Sequence, residues 1–132
     1  VLQVVSRSRV DRIFDLTDAI GSRDKVKALT VLANLLEYGQ SEVGAVALLN
    51  RHFLILSQIK ALSPQGLSGP KLCSKVGIPQ FLISNYLSQS KVWSDAKIDR
   101  MFSLLALTDK ALKSSHVASH VWLENLILKA CE

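Results

Sequence analysis

His116, His120 and Glu124 fall four residues apart, the repeat that lines side chains along one face of a helix. Two imidazoles and a carboxylate in that register have the chemistry to hold a zinc-type ion. The usual company of such a site is missing: no HExxH pair, cysteine or second acid cluster joins it, and Ser114-Ser115 favour a turn just before His116. The reading without a metal is preferred and no metal ligand is assigned, with an enzyme that uses His116, His120 and Glu124 as ligands ranked third among the alternatives. His52, alone in an apolar run, reads as a core histidine with its hydrogen bonds satisfied. A phosphate cradle would need GxxxxGK[ST], whereas Gly66, Gly69 and Lys71 have the wrong order and spacing. No GxSxG elbow occurs, and no His and acid pair with a particular serine by spacing. No catalytic residue and no cofactor is assigned.

The remaining chemistry is base reading. Leu67 to Leu87, LSGPKLCSKVGIPQFLISNYL, spaces Cys73, Gly77 and Ile83 as helix-turn-helix units do. Ser68 is placed to cap a short helix bearing Leu72, Cys73 and Val76, Gly77 to supply a left-handed residue after it, and Pro79 to sit in the first turn of a second helix. A recognition helix presents Arg, Lys, Asn or Gln to base edges. Pro79 to Gln89 contains no charged residue, and Phe81 and Leu82 hold the early positions. Gln80, Ser84, Asn85 and Gln89 are its polar groups, while Lys71 and Lys75 lie on the preceding helix. The pair therefore reads as a packing device that directs Phe81, Leu82 and Tyr86 at other helices. A DNA-binding regulator built on residues 67–87 is the alternative.

These candidates must be held by helices. The chain of 132 residues is 48% apolar, yet carries only 2 Trp, 2 Tyr and 4 Phe, and a mixture dominated by Leu, Val, Ile and Ala suits helix packing. The prediction is an all-α domain, a compact bundle of about seven helices joined by short turns. Asp11 is placed to cap a helix to Ile20 that Gly21 stops. Val26, Leu29, Leu32, Ala33 and Leu36 recur at helical spacing from Arg23 to Tyr38. Ser41 can cap a long helix to Leu62. Its two stripes, Val46, Leu49, Phe53, Leu56 and Ala45, Leu48, Ile55, Ile59, make it the most buried element. SPQGLSGP at 63–70 is a turn and SQSKVW after Leu87 a second connection. Ser94 can cap a helix to about Lys113, and a last helix spans Ala118 to Ala130.

A formal charge of +5, spread over scattered basic residues, permits nucleic-acid contact without demanding it. Cys73 and Cys131 lie far apart at apolar, helical positions, as reduced core thiols of a cytoplasmic protein do. No apolar run approaches the ~18 residues of a membrane span, and no leader pattern opens the chain. VLQVVSRSRV begins abruptly and without methionine, so residues 1–10 are expected to be the tail of a preceding domain and residues 11–132 the helical domain. For protein contacts, Lys91, Trp93, Arg100, Lys110 and Lys113 are the candidates, near turns or on the polar face of the long helix. Trp93 has a second reading, as a plug for the end of the bundle.

IFDLTDAI at 13–20 followed by KALTVLANLLEYGQ at 27–40, then GLSGPKLCSKVGIPQFLISNYL, ALTDKALKSS at 106–115 and WLENLILKAC at 122–131 run in an order and spacing that resembles the C-terminal region of the delta-subunit family of bacterial DNA polymerase III, part of the sliding-clamp loader. Asp109, Leu112, Lys113, Leu123 and Glu124 stand where that pattern expects them. The resemblance implies a helical collar domain that holds a delta subunit in a five-subunit assembly beside ATPase (gamma/tau) and delta-prime subunits. It also implies contact with the sliding clamp only through an absent N-terminal domain, contact with DNA only through the complex, and no catalytic site of its own within a DNA-directed DNA polymerase holoenzyme.

Overall fold

Three side chains set where helices begin. Asp24 accepts a hydrogen bond from the Lys27 N–H at 3.1 Å, Ser41 from Gly44 at 3.0 Å and Ser94 from Lys97 at 3.2 Å, each satisfying a donor that the first turn leaves without an intrahelical partner. The computed structural model describes residues 2–66 and 69–132, with the backbone alone for residues 2–9 and 65. Seven α-helices follow in order: α1 (Leu2–Gly21), α2 (Lys25–Glu37), α3 (Glu42–Leu62), α4 (Gly69–Val76), α5 (Ile83–Val92), α6 (Asp95–Ser114) and α7 (Ser119–Ala130). Short 3₁₀ turns at Ser63–Gln65 and Gln80–Leu82 lead into α4 and α5. The described residues contain no strand.

Helix α3 is the hub and touches all six others. Its sequence demands this: Ala45, Leu49, Phe53, Leu56 and Ile59 are fully enclosed, with Val46 and Ile55 nearly so. A helix that is apolar on more than one side must be covered on more than one side. Around it α1 packs on α2, α6 on α7, and α2 on α7, closing the bundle. Cys73 and Cys131 are buried free thiols, and burial pushes the Cys131 thiol above its ordinary range. No described helix is long and apolar enough to cross a membrane.

Four sequence expectations need correction. Helix α1 begins at Leu2 and runs through Asp11 without a break, so Asp11 is an exposed mid-helix residue and caps nothing. No Gly or Pro interrupts residues 2–20, which leaves the helix free to continue. Helix α2 buries Ala28, Leu32 and Leu35, while Val26 is 77% exposed and Ala33 also faces outward. The apolar residues of α2 form two overlapping stripes, and packing against α1, α3 and α7 decides which is covered. Helix α5 extends to Val92, so SQSKV is helical. Pro79 stands outside that helix in extended backbone (φ −66°, ψ 148°), ahead of the 3₁₀ turn.

Within the helix-turn-helix-like pair, Gly77 takes the left-handed conformation at φ +83°, and its N–H and that of Ile78 both return to the Cys73 carbonyl at 2.8 and 3.1 Å. Leu82 and Tyr86 are buried as expected, but Phe81 is 51% exposed. It lies in the 3₁₀ turn before α5, where Leu82 takes the inward position. The predicted Ser68 cap lies outside the described residues.

Candidate functional site

Helices α1, α3 and α5 meet over a buried polar cluster. Thr17 on α1, which stands between Leu16 and Asp18, donates its hydroxyl to the Ile13 carbonyl at 2.9 Å. Gln89 on α5 donates its amide nitrogen to Thr17 Oγ1 at 2.8 Å and to an Asp18 carboxylate oxygen at 2.6 Å. The Gln89 carbonyl oxygen accepts from His52 Nε2 at 2.6 Å, which places the imidazole proton on Nε2. The His52 ring is packed on Phe14, Phe53 and Tyr86, with ring centroids 4.9, 5.4 and 5.0 Å away. Burial pushes the His52 pKa down to about 4, against the smaller upward pulls of Gln89 and Asp18. Burial also pushes the Tyr86 hydroxyl up to about 12. A neutral imidazole closed off in this way transfers no protons to a substrate. It fixes three helices in one register.

The five interface candidates separate into two groups. Lys91, Arg100, Lys110 and Lys113 are exposed. Arg100 donates to the Lys129 carbonyl at 2.9 Å and approaches a Glu132 carboxylate oxygen at 3.6 Å, tying the start of α6 to the end of α7. Lys113 pairs with Asp109 at 2.9 Å one turn away. Lys110 and Lys113 belong to the far end of α6 from Arg100, roughly 15–20 Å along the axis, so the four do not form one patch. Trp93 is corrected: at 3% exposure its ring belongs to the core, and only its edge reaches the surface. Its ring meets Phe53 edge-on at 4.8 Å and lies against Gly21, where a Cβ would stand 3.0 Å from the indole nitrogen. The plug at the end of the bundle is what the structure shows.

His116 precedes α7, and His120 and Glu124 lie on it; all three are exposed. Among the described residues no three His, Cys, Asp or Glu side chains gather as a metal cluster. On α5 the outward face carries Ser84, Asn85 and Ser88, with Lys91 in the last turn, and Gln89, counted among the groups available to bases, is enclosed with His52. Sequence reasoning missed Thr17, Asp18 and Gln89 as a unit. The available signal was the spacing Leu82, Tyr86, Gln89, in which a glutamine occupies the next position of an inward stripe.

The family model described as the DNA polymerase III delta subunit, C-terminal domain, matches residues 10–130. The chain is 23% identical over 129 residues to the DNA polymerase III subunit delta of Bacillus subtilis (strain 168), covering 98% of this chain and 37% of that protein. It superposes on the solved structure of the Bacillus subtilis DNA clamp loader delta protein with a TM-score of 0.82 and 22% identity, over 91% of this chain and 35% of that one. The chain thus spans little more than a third of the length of either relative.

Proposed function

The chain belongs to the family formed by the C-terminal domain of the DNA polymerase III delta subunit, and from that membership we propose that it is an assembly domain: a collar that holds a delta subunit inside a clamp loader. The observation that carries this reading is the match of one family model to residues 10–130, almost the whole domain. In the proposal its partners are ATPase (gamma/tau) and delta-prime subunits, reached through protein contacts. The sliding clamp and DNA are engaged by other parts of the complex, which acts in the cytoplasm during replication. Polymerisation belongs to other subunits of the holoenzyme, and this domain supplies no catalytic group. In the same proposal residues 11–132 are the assembly domain and residues 1–10 the tail of a preceding one. Lys91, Arg100, Lys110 and Lys113 are proposed contact residues.

The uncharged 3₁₀ turn and early part of α5, with Leu82 and Tyr86 turned into the core, weigh against the DNA-regulator alternative, because phosphate-anchoring charge is scarce there. The test is co-elution in size-exclusion chromatography of the chain with ATPase and delta-prime subunits from its own source. A shared peak supports the assembly role. Separate peaks in every combination, together with salt-sensitive binding to duplex DNA, overturn it.

A further inference from the structure

A groove of about 50 Å³ opens where the ends of α1 and α7 meet the start of α6, and Gly21, Arg23, Trp93, Lys97, Arg100 and Glu132 are among its walls. Three of those residues are cations and one is an acid. Arg100 is partly occupied by Glu132 and the Lys129 carbonyl, whereas the side chains of Arg23 and Lys97 have no hydrogen-bond or ion-pair partner among the described residues. Trp93, although only 3% exposed, makes no side-chain hydrogen bond to a described residue and still reaches the groove wall. Its indole N–H has no acceptor among the described residues and is not one of the fully enclosed unsatisfied groups, so it is left to solvent at the groove, beside two cations without a protein partner.

Backbone conformation adds to this. Arg23 sits at φ +60°, a left-handed position that glycine or asparagine occupies without the steric cost an arginine bears.

We propose that this groove is a carboxylate-recognition site that takes a glutamate or aspartate side chain of a protein partner, a reading that rests on the assembly role proposed above. Size argues for a single small anionic group, because the groove is far below the ~300 Å³ of sites for larger ligands. Charge argues for an acid: the side-chain cations in the walls, Arg23, Lys97 and Arg100, outnumber the one side-chain carboxylate, Glu132, and the occupant's oxygens accept from the indole N–H and the guanidinium forks. Glu132 illustrates the chemistry, since its own carboxylate already lies 3.6 Å from Arg100. A nucleic-acid strand would need a track of cations spaced along a backbone together with stacking faces; here the cations ring one spot, and the only aromatic wall is the edge of an enclosed indole.

The test is a titration of the ¹⁵N-labelled chain with acetyl-glutamate methylamide, followed at the Trp93 indole N–H and the Lys97 and Arg100 amides. Acetyl-glutamine methylamide and inorganic phosphate at equal ionic strength are the comparison arms. Saturable shifts confined to the groove are expected, with the glutamine analogue about tenfold weaker or worse for want of charge-assisted bonds. Arg23→Gly, which relieves the left-handed strain and so keeps the fold, and Lys97→Gln, at an exposed position, should each weaken binding several-fold. Equal responses to the two analogues, a response to phosphate alone, or undiminished binding in both variants overturns the proposal. If the Arg23→Gly/Lys97→Gln double variant co-elutes with the loader subunits as fully as the parent chain, the groove proposal fails and the assembly role stands. If carboxylate binds in the groove while the parent chain co-elutes with no loader subunit, the assembly role fails and the site stands.

Discussion

His52 on α3 and Gln89 on α5, 37 residues apart in sequence, share a 2.6 Å hydrogen bond in the interior of the bundle. The same glutamine holds Thr17 and Asp18 on α1, so one side chain ties three helices. Gln89→Leu keeps the volume and orphans the imidazole N–H, which should cost about 1–3 kcal/mol. Replacing both partners, as His52→Phe with Gln89→Leu, should lose less than the two single variants summed, because no buried donor is then stranded. Urea unfolding of the four proteins measures this. Strict additivity would show that the two residues do not act as a pair.

Stability should depend on pH through His52. Its folded pKa of about 4 lies below the ordinary 6.5, so between those values the unfolded chain binds a proton that the folded chain refuses. Stability therefore rises with pH across that window: it is fully present above 6.5 and falls as pH drops toward 4, by up to about 3 kcal/mol. Unfolding free energies at pH 7, 5.5 and 4.5 should follow this slope in the parent chain, and the His52→Phe variant should lose it. A His52→Phe chain with the parent's slope would assign the effect to other groups.

The parts of the fold legible in the sequence were those fixed by local chemistry. Ser41 and Ser94 announce α3 and α6 because a hydroxyl ahead of an apolar period satisfies first-turn donors whatever surrounds it. The burial of α3 follows from apolar stripes on two sides of one helix. Gln89 was not legible, because what makes a glutamine a core residue is its partners 37 and 72 residues away, and those are created by packing. Trp93 shows the same limit: its enclosure depends on Gly21 having no Cβ to hold the indole off. The lysines and arginines proposed for contacts were legible only as exposed charge. Which of them share a surface is set by helix ends meeting, as Arg100 meets the last turn of α7.

Side-chain direction around the 3₁₀ turn separates two adjacent apolar residues. Leu82 is buried against the core while Phe81 is half exposed, although by type the phenylalanine is the larger apolar group. Leu82→Ala should therefore cost about 2–5 kcal/mol as a cavity-forming change, and Phe81→Ala less than half as much, in proportion to the area it hides. Thermal melts of the two variants in one buffer compare them directly. A larger drop for Phe81→Ala would reverse the inside and outside of this turn.

Gly77 offers a cleaner case, because backbone and space can be told apart there. A Cβ at this position would meet nothing within 4 Å, yet φ is +83°, so any cost of Gly77→Ala comes from the left-handed conformation and not from crowding. That cost is about 1–2 kcal/mol, partly offset by the lower entropy of the unfolded alanine chain. Gly77→Asn should cost less, since asparagine tolerates the left-handed region. The loss should appear as a lower urea midpoint with an unchanged slope, because the surface exposed on unfolding stays the same. An alanine variant as stable as the parent would mean that the turn after α4 can relax to a right-handed conformation. The two N–H groups that converge on the Cys73 carbonyl would then contribute little to holding α4 against α5.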